Sequence, residues 1–379
     1  MSRRFPQVFA ACVLSFPAWP LLCAGGEPPA QNAGGNMSNP FVYVSGYDNT
    51  ISCFVFDLAT GALKPSSTSD GGKNPTYLAW DPSRKYMYAV NEAGQGRVAA
   101  FAINPKDGAL TKINDASANG SGSCHVSVHP NGKWVFVANY TSGTIGVLPV
   151  KADGAVGEPA FKGAPGKNAH QIFADPTGRF VFVPCLGSNY VAQFVFDPAS
   201  GELKPNDPPT IATAQGAGPR HLALHPSGRF AYLINELDCT ITSFVYDATK
   251  GVLSDPKTLP TLPEGAATKG TSGAHVLVSP NGKFVYASNR GNDTLAIFAA
   301  DPQNGQLKLV GHETGGGDIK VPRDFTLDPS GKFLLAANQQ KAGTVIVFRC
   351  STERGTLEKL ETIKVPPGPA FVGVMARQN

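Results

Sequence analysis

Charged residues are scarce in this chain. They make up 16% of its 379 residues, where about 25% is usual, so long helices laced with ion pairs are not expected. The formal net charge is only +4, and its even spread does not favour nucleic acid as a partner. Glycine and proline, at 42 and 32 residues, fill about a fifth of the chain. That composition favours many short strands joined by turns, and a hydrophobic fraction of 42% is enough for a large core.

The sequence also lacks the motifs of several cofactor and metal sites. None of its seven cysteines forms a CxxC pair, and an odd five of them follow residue 24, which argues against a metal cluster and against a disulfide framework. There is no GxSxG elbow, no HExxH and no phosphate-binding P-loop. We therefore expect no cofactor and no metal ion, and we expect most of these cysteines to be buried as small apolar side chains.

The N-terminus has the pattern of an export signal. Two arginines precede an apolar run over residues 8–24, and a stretch rich in glycine and proline follows. This pattern predicts a signal peptide over residues 1–24 and a flexible linker over residues 25–38, with the protein exported to the periplasm or secreted. The run is short for a bilayer and contains two prolines, so no stable membrane span is expected. In the alternative, translation starts at Met37 and the protein is cytoplasmic.

A repeat occupies the rest of the chain. Six segments align around a turn that begins with proline, and a degenerate seventh copy starts at Asn39. Each unit contains four strand-like pieces, such as HLALH, FAYLIN, TITSFVYD and GVLSD around Pro226. The period of 42 to 54 residues is typical of propellers and solenoids, and seven units predict an all-β, seven-bladed β-propeller with four antiparallel strands per blade. The anchoring prolines are Pro40, Pro82, Pro130, Pro176, Pro226, Pro280 and Pro329.

The two ends of the repeat region complement each other. The chain finishes with GPAFVGVM, which matches the first strand of a unit, as in GPRHLALH, and lacks the other three strands. The copy at Asn39 lacks that first strand instead. We therefore predict that the C-terminal strand completes the first blade and closes the ring, which leaves one propeller domain over residues 39–379.

Blade geometry indicates where functional residues gather. The start of a blade's first strand and the end of its second strand lie at the same end of the blade. If the first strand lines the channel, both positions surround one mouth. The start of the first strand lies five and six residues before the anchoring proline, and the end of the second strand lies nine and ten residues after it. Arginine, histidine and acidic side chains are frequent at these positions: His125, His170, His221, His275, Arg220, Arg290, Arg323, Glu92, Glu236 and Asp324.

A mouth lined with guanidinium and imidazole groups predicts an anionic small molecule as the partner. Forked arginine donors match carboxylate and phosphate groups, and histidine and glutamate can transfer protons. Other recurrent positions are expected to be structural. His129 and His225 precede turn prolines, where most other units have Asp or Ser, so they are expected to cap the turns. The asparagine that ends most second strands is expected to bond the blade backbone, and any one of the four channel histidines could also be a buried structural group.

One stretch carries a more specific resemblance. GAGPRHLALHPSGRFAYLINEL, residues 216–237, resembles the signature region of the bacterial 6-phosphogluconolactonase family of seven-bladed propellers, which also includes fungal carboxymuconate cyclases. The resemblance extends over about residues 39–376. Predicted export departs from the family pattern, because phosphorylated sugars are cytoplasmic metabolites. The resemblance implies a site built from a histidine, arginines and a glutamate, all selected by the ring count as well: His170, Arg220, Glu236, Arg290 and Arg323.

Together these observations predict a lactone hydrolase that acts on an anionic sugar-type lactone. Arg220 and Arg323 would hold the anionic group, and one guanidinium would polarise the lactone carbonyl. His170 or Glu236 would activate the attacking water, so the predicted catalytic residues are these two and Arg220. The other predicted site residues bind substrate: Arg290, Arg323, His125, His221 and His275.

Three other functions stay open from the sequence. A cycloisomerase, in which a substrate carboxylate attacks its own double bond, needs the same anion-binding groups and one proton carrier. A non-enzymatic secreted binding propeller is the second, because VFVANYTSGTIGV resembles YVTN-type repeats. A metal-dependent lactonase is the weakest, since the carboxylates near the mouth come from separated blades. The sequence does not indicate an oligomeric state.

Overall fold

A computed structural model describes Met1 and residues 39–377 of the chain. These residues form 28 strands and two single-turn 3-10 helices, Leu186–Ser188 and Gly315–Gly317. The predicted signal peptide after Met1 and the predicted linker lie outside the described residues. Within the described part, no helix is long and apolar enough to cross a bilayer.

The strands follow one another in chain order with short turns between them. The first fourteen are β1 (Phe41–Gly46), β2 (Thr50–Phe56), β3 (Leu63–Asp70), β4 (Leu78–Trp80), β5 (Tyr86–Asn91), β6 (Gln95–Ile103), β7 (Leu110–Ser121), β8 (Ser123–Val128), β9 (Trp134–Asn139), β10 (Thr144–Pro149), β11 (Phe161–Gly163), β12 (Phe173–Ala174), β13 (Phe180–Cys185) and β14 (Tyr190–Phe196). The other fourteen are β15 (Leu203–Ala212), β16 (Pro219–Leu224), β17 (Phe230–Asn235), β18 (Thr240–Asp247), β19 (Val252–Pro260), β20 (Ser272–Val278), β21 (Phe284–Arg290), β22 (Thr294–Ala300), β23 (Leu307–Glu313), β24 (Pro322–Leu327), β25 (Phe333–Asn338), β26 (Thr344–Cys350), β27 (Leu357–Lys364) and β28 (Pro369–Met375).

The strands form seven antiparallel sheets of four, which are the blades of a propeller. Blade 1 has the order β28-β1-β2-β3, and blades 2 to 7 each use four consecutive strands, from β4-β5-β6-β7 to β24-β25-β26-β27. First strands of successive blades pack on one another, as β16 does on β20 and β24 does on β28, so these strands line the central channel. The seven-bladed β-propeller with four antiparallel strands per blade is therefore confirmed.

The ring closes through the C-terminal strand, as the sequence predicts. β28 pairs antiparallel with β1, in a register that places Phe41 opposite Met375 and Val44 opposite Val372. Without this strand, β1 would present an unpaired edge to the channel. Strands from the two ends of the described propeller thus complete one sheet.

The core consists of layers of apolar side chains between neighbouring blades. Blades 7 and 1, for example, pack through Phe333 and Phe56, whose rings are 5.3 Å apart in an edge-to-face arrangement. Middle strands such as WVFVAN and FAYLIN are nearly continuous apolar runs, because adjacent blades cover both of their faces. Five cysteines are free thiols buried in this part of the chain, as expected: Cys53, Cys124, Cys185, Cys239 and Cys350.

Two turn histidines also connect neighbouring blades. His225 Nδ1 accepts a hydrogen bond from Ser227 N at 3.0 Å, which is the predicted turn cap. Its Nε2 lies 2.9 Å from Gly282 O in the equivalent turn of blade 6, so Nε2 carries the proton and donates to that carbonyl. His129 likewise accepts from Asn131 N and bonds Gly178 O of blade 4.

The asparagines at the ends of second strands bond the backbone of the preceding blade, as predicted for most copies. Asn139 donates to Ala118 O at 2.9 Å and Asn289 donates to Thr261 O at 2.9 Å. Asn235 differs, because its amide bonds the hydroxyls of Thr240 and Thr242 instead.

Substitutions of His225 test its double role. We expect His225→Ala to lower the free energy of unfolding by about 2–3 kcal/mol, because it removes two hydrogen bonds and a buried ring. His225→Asp restores the turn cap seen with Asp328 in blade 7, so it should cost less than alanine but remain below wild type. Urea denaturation of the three proteins measures this order. Equal stability of the alanine and aspartate variants would contradict the capping role.

Candidate active site

Adjacent residues of an inner strand reach the channel together because the strand carries a bulge. In β16, Pro219 pairs with Asn235 and His221 pairs with Ile234, so Arg220 is an extra residue in the register. Successive side chains of a regular strand point to opposite faces, and a bulge removes that alternation at one step. Arg220 and His221 are accordingly both buried, and 3.2 Å separates Arg220 Nη1 from His221 Nε2.

A register slip also occurs in four other inner strands. It falls between Ser123 and His125 in β8, between Gly273 and Val276 in β20, between Pro322 and Asp324 in β24, and at Ala370 in β28. In β24 the extra residue is Arg323, which is half-buried, whereas Asp324 is only 3% exposed. The bulges thus supply the site with neighbouring pairs of polar side chains from single strands.

Three of the predicted site residues form an ion-paired group at the mouth. Arg220 Nε is 2.9 Å from Glu236 Oε2, and Arg290 Nη2 is 3.0 Å from Glu236 Oε1. Arg290 Nη2 also donates to Gly273 O at 3.1 Å, and Arg220 Nη1 donates to Ala274 O. Both carbonyls belong to β20, so the inner strand of blade 6 holds the two guanidiniums in place.

The charges of this group keep the carboxylate ionised. Burial by itself would raise the pKa of Glu236, but the guanidiniums of Arg220 and Arg290 outweigh it and bring that pKa below its usual value. Burial and the neighbouring charge of Arg290 lower the pKa of Arg220 to about 10, so Arg220 stays protonated at neutral pH. Two positive charges and one negative charge leave the group net positive, which favours an anionic ligand.

Arg323 is the third guanidinium of the mouth, and it has no acidic partner within ion-pair distance among the described residues. Its guanidinium carbon lies 5.5 Å from the ring centroid of Tyr47, which follows β1. Tyr47 in turn donates a hydrogen bond to Glu92 Oε2 at 3.2 Å. The donors of Arg323 are therefore available to a ligand.

Deeper in the channel, the four predicted histidines form a buried layer in which none is more than 6% exposed. His221 lies in the middle, with ring centroids at 5.7 Å from His125, 5.2 Å from His170 and 5.0 Å from His275. His221 Nδ1 and His275 Nδ1 are 2.7 Å apart, so one of these two nitrogens carries a proton and the other accepts it.

Burial makes these histidines neutral. It lowers the pKa of His125 and of His275 to about 3, and it lowers the pKa of His170 and His221 well below the usual value. Neutral imidazoles cannot attract an anion by charge, and His125, His221 and His275 contact one another and nearby channel side chains. Their role as substrate ligands stays a prediction.

Histidines of this layer line two cavities, His170 and His221 the smaller one and His125 and His275 the larger one. The smaller one has a volume of about 10 Å³ and brings His170, Arg220 and Arg323 together. The larger one, about 530 Å³, is the other part of the channel and has aromatic walls that include Trp80, Phe173 and Phe371. The residues that line the smaller cavity are Thr76, Tyr77, Cys124, His170, Arg220, His221, Arg323, Asp324 and Ala370.

Two residues of the site, Asp324 and Tyr47, had no role predicted from the sequence. Asp324 stands at a ring position beside Arg323, just as His221 stands beside Arg220, and that parallel was the available signal. Tyr47 lies in the degenerate first copy, where the ring count was not applied. Among the described residues, no three His, Cys, Asp or Glu side chains are arranged to hold a metal ion.

Comparison with known proteins decides the family. The family model described as lactonase, 7-bladed beta-propeller matches residues 41–373. This chain belongs to that family. The resemblance found in the sequence is therefore confirmed over nearly all of the described propeller.

Individual relatives of this lactonase agree with the family match. It is 32% identical to the 6-phosphogluconolactonase of Bacillus subtilis over 336 residues, which cover 86% of this chain and 94% of that protein. It is 35% identical to the 6-phosphogluconolactonase of Pectobacterium carotovorum over 321 residues, 84% of this chain and 93% of that protein. Among solved structures, the periplasmic gluconolactonase PpgL of Pseudomonas aeruginosa matches with a TM-score of 0.82 at 29% identity, covering 90% of this chain and 100% of that one.

The buried histidines should make the protein sensitive to acid. Unfolded histidines take up protons below about pH 6.5, but these four do so in the folded state only at much lower pH, so each removes about 1.4 kcal/mol of stability per pH unit below 6.5. Burial raises the pKa of Asp324 to about 7, so this group stabilises the folded state as the pH falls. It offsets the effect of only one of the four histidines. Urea denaturation between pH 8 and pH 5 measures the slope. We expect His125→Gln to reduce the slope, and a stability that is constant from pH 7 to pH 5 would contradict the account.

Proposed function

We propose that this lactonase hydrolyses the lactone of a sugar acid that carries a second, anionic group. The observation that carries the proposal is the arrangement of three guanidiniums around one mouth, two of them paired with Glu236 and the third, Arg323, without an acidic partner among the described residues. The sugar-type substrate is supported by the relatives named 6-phosphogluconolactonase.

The ion-paired group of Arg220, Arg290 and Glu236 can stabilise the transition state of lactone hydrolysis. Negative charge develops on the carbonyl oxygen when water attacks a lactone, and fixed donors that face this oxygen lower the barrier. Arg220 and Arg290 are held by Glu236 and by carbonyls of β20, so they are oriented before substrate binds. Glu236 thus positions two guanidiniums that polarise the carbonyl.

Arg323 provides the means to select the substrate. Its guanidinium is half-buried and lines the same small cavity as Arg220, and it comes from blade 7, which follows the blade of Arg290 in the ring. A phosphate or carboxylate on the sugar chain can form charge-assisted hydrogen bonds with this guanidinium. A neutral sugar lactone cannot form them.

The structure favours neither of the two residues that the sequence predicts as the base that activates water. Glu236 and His170 were the two candidates, and the pKa of each lies below its usual value. A group with a low pKa is a weak proton acceptor at neutral pH. Their assignment as the base stays a prediction; Glu236 lies at the mouth and His170 in the buried histidine layer.

Export belongs to the proposal as well. The basic and apolar N-terminal pattern supports a signal peptide over residues 1–24, and one structural relative is named a periplasmic gluconolactonase. An exported enzyme would meet, outside the cytoplasm, lactones of aldaric acids, which keep one free carboxylate after the ring closes. Fractionation of cells that produce the full chain tests this, and mature protein confined to the cytoplasm would contradict it.

Substitution of Arg323 tests the choice of substrate. We expect wild-type protein to hydrolyse 6-phosphogluconolactone with a higher kcat/KM than gluconolactone, and we expect added salt to reduce the difference. Arg323→Ala should lower kcat/KM for the phosphorylated lactone by roughly 10- to 100-fold, the loss of one or two charge-assisted hydrogen bonds, and should leave gluconolactone almost unaffected. Initial rates, corrected for spontaneous hydrolysis, measure both.

The matched comparison is Arg220→Ala, which should lower the rate with both lactones because the carbonyl is common to them. An Arg323→Ala variant that loses both activities equally would show that Arg323 does not select the anion. A wild-type protein that hydrolyses neither lactone would overturn the proposed function.

A further inference from the structure

Asp324 is a buried carboxyl group that the proposed function does not use. It lies on β24 beside Arg323, and its Oδ2 accepts a hydrogen bond from Val372 N of β28 at 3.0 Å. Its other oxygen, Oδ1, is buried and has no hydrogen-bond partner. The nearest polar atom recorded for Oδ1 is His275 Nδ1, at 3.4 Å. One oxygen is therefore fixed by the ring closure, and the other is left for a ligand.

The small cavity beside Asp324 has the size and the polarity for one water molecule. A volume of about 10 Å³ is roughly what a single water needs, together with two to four polar partners. Two further polar atoms of its lining are buried without a hydrogen-bond partner, His170 Nδ1 and Thr76 Oγ1. Arg220 and Arg323, the guanidiniums that bind substrate in the proposed function, line the same cavity.

We propose that this cavity holds the water molecule that attacks the lactone, and that Asp324 Oδ1 is the general base that takes its proton. The inference rests on the proposed function, since it names the base for that reaction. It replaces the two candidates that the sequence suggested. His170 Nδ1 and Thr76 Oγ1 then orient the water, and the guanidiniums bring the carbonyl carbon to it.

The protonation of Asp324 suits this role. Burial raises its pKa to about 7, which is close to the value at which a carboxylate accepts a proton most effectively at neutral pH. The titratable and charged groups around it are His275 on β20, Arg220 and His221 on β16, its neighbour Arg323, Tyr77 before β4, Cys124 on β8 and His170 before β12.

None of the neighbours with a shifted pKa changes charge near neutrality. Burial lowers the pKa of His275 to about 3, that of Arg220 to about 10, and those of His170 and His221 well below their usual value. It raises the pKa of Cys124 to about 12 and that of Tyr77 well above its usual value. The phosphate of a phosphorylated lactone itself changes charge at about pH 6, so the pH profile is measured with gluconolactone, and with that substrate a change of rate near pH 7 reports on Asp324.

The step balances without a further reactant. The water oxygen forms a bond to the carbonyl carbon while one of its protons passes to Asp324 Oδ1. The tetrahedral intermediate then breaks its bond to the ring oxygen, and that oxygen takes the proton back from Asp324 and becomes a hydroxyl group. The products are the open-chain hydroxy acid and the ionised form of Asp324 with which the step began.

The pH dependence of the wild-type full chain is the first test. With Asp324 as the base, kcat/KM should fall tenfold for each pH unit below about 7 and level off above it. With Glu236 as the base, the rate should stay level down to pH 5, because the pKa of Glu236 lies below its ordinary value. A level profile between pH 5 and pH 8 overturns the inference and requires no variant.

Asp324→Asn is the second test, because asparagine keeps the acceptor for Val372 N but cannot take a proton. We expect kcat to fall at least about 100-fold with KM within about threefold of wild type, and the remaining rate to lose its dependence on pH between 5 and 8. Asp115→Asn is the control, since Asp115 pairs with Arg97 and Lys112 far from the mouth and should keep wild-type kinetics.

The outcomes separate this inference from the proposed function. If wild type hydrolyses the lactones and Arg220→Ala abolishes the reaction, but Asp324→Asn keeps half or more of the wild-type kcat, the base is another group and only the inference fails. A low rate for Asp324→Asn that keeps the wild-type pH profile would indicate a structural role and would also overturn it. If wild type hydrolyses no lactone, the proposed function fails first.

Discussion

The pairing of β28 with β1 is the interaction on which both the ring and its central site depend. It supplies the inner strand of blade 1 and brings blades 7 and 1 against each other. Val372 N of the same strand binds Asp324 Oδ2, so the closure also fixes a carboxyl group of the candidate site. Arg323 and Tyr47 face each other across the same junction. A defect in closure would therefore disturb the site as well as the fold.

The electrostatics of the channel change with depth. At the mouth, Glu236 lies between two guanidiniums and offsets their mutual repulsion, and the excess positive charge suits an anion. In the buried layer below, four histidines lose their charge because burial removes the solvation of the imidazolium form. Asp324 lies in this second environment, where burial favours the protonated carboxyl group over the carboxylate.

The blades, their closure and the end of the channel that carries the candidate site could be predicted from the sequence. The repeat at 42 to 54 residues and the matching chain ends were sufficient for the blades and their closure, because each unit carries its own turn and strand signals. The count from the anchoring prolines also found the correct end of the blade for Arg220, Glu236, Arg290 and Arg323.

Spacing along a strand does not reveal how deep a side chain lies or which partner it meets. Histidines of the first ring were expected at an open mouth, and they instead pack on one another. The ring count placed Asp324 beside Arg323, but the bulge that turns it into the channel leaves no mark in the repeat, so its burial and its free oxygen could not be predicted. Tyr47 was missed because Pro40 directly precedes β1, without the turn that lies between the proline and the second strand elsewhere, so the count from the proline does not reach Tyr47.

A crystal structure of the full chain with a phosphorylated aldonate product tests the central claim most directly, since the claim is that the guanidiniums of the mouth and the buried Asp324 act on one bound substrate. The account predicts the product carboxylate within hydrogen-bond distance of Arg220 and Arg290, its phosphate on Arg323, and an ordered water or a carboxylate oxygen beside Asp324 Oδ1. A product bound in the larger cavity, or at the mouth without contact to these guanidiniums, would contradict it.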